Sequence, residues 1–169
     1  MRALQLVKAR VALEGKSQER EVLDALMPHV SDIVDSYIEA MLWAETYDGD
    51  DPRHKDFDRD HDDRSFRDLG YDESDLTPAT KEHCKKDVVD FIKEIAENDD
   101  AAKEYLENKD DHELQPNVFG NRFWLTRNGS GGGFREDGYR AISELAGWPS
   151  KRFGEEHIWA NRHGQIEVQ

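Results

Sequence analysis

The sequence is poor in the features that most often announce a function. It holds one cysteine, Cys84, in 169 residues, so no disulfide framework can be built from it. A lone thiol also suits a reducing cytoplasm. No apolar run reaches the length of a membrane span, and Met1-Arg2-Ala3-Leu4 opens a charged amphipathic stretch rather than a leader's apolar one. Bases are scarce, 23 against 38 acids, for a net charge of −15 and a pI near 4.8. That balance argues against general affinity for nucleic acid or an anionic membrane. Apolar residues make up 36%, no more than the charged ones, which fits a modest core under a crowded surface. The expectation is one cytoplasmic domain over residues 1–169.

What is present is unevenly placed. Residues 45–75 carry 13 acids and 5 bases with few aliphatics, whereas residues 116–169 are close to neutral. The acidic stretch therefore reads as loop, with a short turn around Phe66–Leu69. Upstream, Leu4, Val7 and Val11 give a weakly amphipathic helix ending near Gly15, and Ser17 is placed to cap a short second one before Pro28. Val30, Ile33, Val34, Tyr37, Ile38, Met41 and Leu42 follow at strict helical spacing, so this helix should cross the core. Thr77-Pro78 combines an N-cap with proline at the first helical position, and Cys84, Val88, Phe91, Ile92 and Ile95 then share one face. A short helix with Ala102, Tyr105 and Leu106 comes next.

From Asn121 the period changes. Phe123-Trp124-Leu125-Thr126 alternates like a half-buried strand, and Asn128-Gly129 is a strong tight-turn signal because both positions of the turn need positive φ. The stretch "FWLTRNGSGGGF" thus predicts a hairpin over 123–135, with Gly133 beneath Trp124. A helix from Tyr139 to Ala146 and a second hairpin over 157–168, turning at Asn161-Arg162-His163-Gly164, complete the chain. The fold class expected is α+β: several helices on a small antiparallel sheet formed by the two C-terminal hairpins.

The glycine run matches no phosphate or nucleophile signature. It has no lysine after the glycines, it opens no G-x-G-x-x-G helix, and Asn128 stands where a nucleophile elbow needs glycine. The acids from Asp56 onward miss the calcium-loop pattern, with His61 at the glycine position and Arg67 at the final glutamate. The seven histidines make no zinc spacing, and Cys84, in phase with Val88 and Phe91, reads as core. Accordingly no catalytic residue, metal ligand or cofactor is assigned.

At "NRFWLTRNGSGGGFRE" the chain resembles an uncharacterised family of small bacteriophage-encoded proteins carrying a stretch like "HDFWLTRNGHGAGFWD". The likeness extends through "YIEAMLWAE", "LTPATKEHCKKDVVDFI" and "GQIEV", about residues 37–169, so the helical residues 1–29 read as an addition. Asn121, Arg122, Ser130 and Arg135 stand where that family has His, Asp, His and Trp, which removes any role of the two histidines. The resemblance implies a phage accessory protein, acting in the host cytoplasm, and brings no activity with it. Together with the charge it points to a non-enzymatic protein that binds a host macromolecule, an inhibitor of host defence by charge mimicry. The partner-binding candidates are Asp50, Asp51, Asp56, Asp58, Asp60, Asp62 and Asp63, with Trp124 and Arg127 from the hairpin. Two alternatives stand beside it: nucleic-acid binding through the aromatic and arginine side chains of that hairpin, and cation binding by the acidic loop 48–63.

Overall fold

In a computed structural model, which describes residues 2–58, 62–147 and 153–168, the chain packs six α-helices and one two-stranded antiparallel sheet. The helices are α1 (Arg2–Leu26), α2 (Val30–Ala44), α3 (Pro78–Glu97), α4 (Asp99–Asn108), α5 (Pro116–Arg127) and α6 (Arg140–Ala146). The strands are β1 (Ile158–Ala160) and β2 (Ile166–Val168), with Trp159 opposite Glu167. The α+β class holds.

Local chemistry places several of these boundaries as the sequence leads one to expect. The Thr77 hydroxyl accepts the Thr80 N–H and Pro78 occupies the first turn of α3. Asn98 ends α3 and caps α4 through the Ala101 N–H. Pro28 breaks the helix into a single 3₁₀ turn, Met27–His29, before α2 restarts. The second hairpin forms with its turn closed by the Gly164 N–H on the Asn161 carbonyl, 2.8 Å.

Two expectations fail. First, α1 is one helix that runs through Gly15 instead of ending there. Glycine costs a helix interior only about 1 kcal/mol, and Val22 and Leu26 bury the end of α1 in the common core, packed on α3 and α4. The end of α1, from Val22 on, is thus built into the core.

Second, the hairpin over 123–135 does not exist. Residues 116–127 are α5, and Asn128-Gly129 is the end of a helix. Gly129, at φ +63°, donates to the Thr126 carbonyl, while the Ser130 N–H reaches the Leu125 carbonyl at 3.0 Å, the paired bonds of a Schellman cap. A helix cap and a tight hairpin both need glycine at positive φ, so the same dipeptide serves either. The apparent alternation arises because α5 is buried nearly all round, with Phe119, Phe123, Trp124, Leu125 and Arg127 all inside. Gly133 lies against Thr126, whose hydroxyl accepts the Phe134 N–H at 2.9 Å, not beneath Trp124.

Helix α5 is the centre of the core. It packs most extensively on α2, where Gly120 sits against the Ile33 carbonyl and the backbone of Tyr37. Tyr37 meets Trp124 edge-on at 5.2 Å, and Phe91 of α3 stacks on Phe123 at 4.0 Å. The small sheet joins the helical body at both edges. On one side, around Gly49, the Asp50 N–H donates to the Ala160 carbonyl and the Ala160 N–H donates to the Asp48 carbonyl; on the other, Thr77 N–H and the Thr80 hydroxyl both donate to the Ile166 carbonyl.

Candidate functional site

The described residues of the acidic stretch, 45–58 and 62–75, are loop and short 3₁₀ turns tied down at buried positions such as Tyr47, Asp51, Phe66 and Tyr71. An aromatic cluster holds them: Tyr47 packs against Phe57, Phe66 and Tyr71, with His54 at its side. Asp51 is the polar pin of this cluster. Its carboxylate, 2% exposed, accepts from the Arg53 backbone N–H, from Arg53 Nε at 2.8 Å and from the Tyr71 hydroxyl at 2.6 Å. Burial works to raise its pKa, but the Arg53 and Tyr71 hydrogen bonds outweigh that and hold it at about 2. Asp51 is therefore an internal anchor.

The other acidic candidates divide by exposure. Asp50, Asp56, Asp58 and Asp63 lie on the surface. Asp62 is tied to Arg64, which grips both its oxygens. Asp60 lies outside the described residues. A cavity of about 320 Å³ opens beside this segment, lined by Tyr47, Asp48, Asp50, His54 and Phe57 among others.

Trp124 and Arg127 are not on a hairpin surface, because there is no hairpin. Trp124 is fully buried. Arg127, the last residue of α5, points into a polar network that joins four parts of the chain. Its Nη1 donates to Asp87 Oδ2 of α3 at 2.5 Å, to Glu156 Oε2 at 3.0 Å and to the Tyr37 hydroxyl of α2 at 2.6 Å; its Nε donates to the Gly154 carbonyl at 3.1 Å. Tyr37 in turn donates to Glu156 Oε2 at 3.1 Å. The Glu156 N–H binds the Asn128 side chain at 2.8 Å, so the segment leading to β1 is fixed to the end of α5.

His83 completes the network at the surface. It lies one helical turn before Asp87, with Nε2 3.4 Å from Asp87 Oδ2 and hydrogen-bonded to Glu156 Oε1. Asp87 and Glu156 are buried, while the His83 side chain is 41% exposed. It faces an open groove of about 650 Å³ lined by Thr77, Thr80, Glu156, Glu167 and Val168 among others.

The electrostatics keep Tyr37 and Arg127 loaded as donors. Burial raises the Tyr37 phenol well above its ordinary range, so it remains a hydroxyl donor. Burial opposes the Arg127 charge, but Tyr37, Glu156 and Asp87 more than compensate and strengthen its hold on the proton. Burial, reinforced by the Glu156 and Asp87 charges, pushes the Cys84 thiol up to about 12, so it stays protonated at neutral pH.

Among the described residues, His83, Asp87 and Glu156 have the nitrogen and oxygen donors that could hold a metal ion, whereas the acids of 48–63 do not gather into such a group. Sequence reasoning passes over this trio. His83 and Asp87 are visible as an i, i+4 pair on one helix face, but Glu156 stands 73 residues away and nothing local announces it. No protein-family model, curated protein or solved structure matches the chain. No helix among the described residues is long and apolar enough to cross a membrane.

Proposed function

We propose that this chain is a non-enzymatic accessory protein of the phage type that binds a basic surface on a host protein through its acidic segment. One observation carries this reading: in the stretch 45–75, with its 13 acids and 5 bases, the described residues are pinned at Asp51 and turn Asp50, Asp56, Asp58 and Asp63 outward. Carboxylates presented on a fixed backbone can meet a basic surface without the entropy cost of ordering a loose loop on binding. The alternative of nucleic-acid binding through arginine and aromatic side chains is weakened, with only Arg135 of its named arginines left exposed. Arg127 and Trp124 are buried, and Arg122 is half-buried in an ion pair with Asp137 at 2.6 Å.

The test is capture of host protein by the tagged chain and by a variant with Asp50, Asp56, Asp58 and Asp63 all changed to Asn. Neutralisation should weaken capture at low salt by about tenfold or more while far-UV circular dichroism stays unchanged. Parent capture should fall steeply as the screening length shrinks from about 10 Å at 0.1 M salt to about 3 Å at 1 M. Equal capture by parent and variant at both salt concentrations overturns the reading, and turnover of any substrate by the parent overturns its non-enzymatic part.

A further inference from the structure

We propose that His83, Asp87 and Glu156 form a binding site for a divalent cation of the zinc class, at the mouth of the groove between α3 and the C-terminal sheet. This site is separate from the acidic segment and independent of the partner-binding reading.

The donor set comes first. One imidazole nitrogen and one oxygen from each of two carboxylates lie within 4.8 Å of one another. Two ligands of a tetrahedral zinc ion with bonds of about 2.0–2.2 Å stand roughly 3.4 Å apart. The separation of His83 Nε2 and Asp87 Oδ2 is 3.4 Å. A nitrogen donor beside two carboxylates favours zinc or a neighbouring transition ion over calcium or magnesium, which take all-oxygen shells.

The groups behind the donors point the same way. Glu156 Oε2 is occupied by Tyr37 and Arg127, which turns Oε1 outward to His83. Arg127 also donates to Asp87 Oδ2, the oxygen nearest His83, so an ion there would share that oxygen with the guanidinium. Hydrogen-bonded support of this kind orients metal-ligating carboxylates before the ion arrives. Charge agrees as well. Two buried carboxylates face a single guanidinium, and Glu167 adds a further acid to the groove wall, so the cluster keeps a negative excess that a cation offsets. Access agrees too, because His83 is exposed to the groove and a water there can fill the remaining position of a three-ligand site.

The experiment titrates chelator-stripped full-length chain with zinc ion alone at pH 7.5, by calorimetry and by melting temperature. Cobalt(II) serves as a second probe whose visible absorption reports tetrahedral ligation directly. The parent should bind one equivalent with a rise in melting temperature. His83→Ala, at an exposed helical position, and Glu156→Gln should each weaken zinc affinity by at least about tenfold and lose the cobalt band. His157→Ala, at an exposed histidine that pairs with Glu45, should leave both unchanged. Absence of zinc binding in the parent, or binding that His83→Ala leaves intact, overturns the proposal and reduces the cluster to an ion-pair network.

Discussion

Asp51 is a buried carboxylate whose partners decide its charge. Asp51 lies in a folded environment that favours its charge, with a pKa of about 2 against an ordinary 3.8. The sign follows from linkage: a carboxyl with its pKa lowered by folding stabilises fully above its unfolded value and loses that contribution as pH falls through the folded one. The window is therefore about pH 4 down to pH 2. Asp51→Asn should cost about 1–2 kcal/mol at pH 7 and almost nothing at pH 2. Urea unfolding of parent and variant across that range measures the difference, and a gap that does not close on acidification removes the anchor role. Legibility at this scale was a matter of context. Asp51 looks in sequence like any of its acidic neighbours, because the hydrogen bond that distinguishes it comes from Tyr71, twenty residues on.

Elements were legible where their signals are local. The Thr77-Pro78 start of α3, the apolar stripe of α2 and the turn ending at Gly164 each need only a few adjacent residues, and each stands where expected. Helix α5 was hidden because burial on all sides erases the one-sided stripe that marks a helix. Its two glycines now make separable predictions. At Gly120 an added methyl meets the Ile33 carbonyl and the Tyr37 nitrogen, so Gly120→Ala should destabilise by about 1–3 kcal/mol through forced separation of α2 and α5. Gly129 has open space around it but φ +63°, so Gly129→Ala should cost about 1 kcal/mol in backbone strain alone. Gly154, with neither constraint, is the control. Melting curves that rank Gly120→Ala with Gly154→Ala would refute the close helix crossing.

Taken as a whole, the molecule carries a net charge of −15 on 169 residues, and its compact state works against its own repulsion. Moderate sodium chloride should raise the melting temperature by a few degrees by screening that repulsion. A fall on going from low salt to about 0.5 M would mean that exposed ion pairs such as Arg140–Glu144 outweigh it. The polar network is the part of the molecule least visible in sequence, since Tyr37, Asp87, Arg127 and Glu156 meet only through tertiary structure. That assembly has a temporal consequence. Ala160 supplies the edge on which the backbone at Asp48 and Asp50 closes, Ile166 does the same for Thr77, and Glu156 brings Arg127 its second carboxylate. On the ribosome, the acidic segment emerges well before the strand that receives it, so its backbone at Asp48 and Asp50 must wait, amid dense like charge, until the closing hairpin has been made. Dense like charge keeps such a waiting segment soluble, an advantage during synthesis that is separate from any partner it later meets.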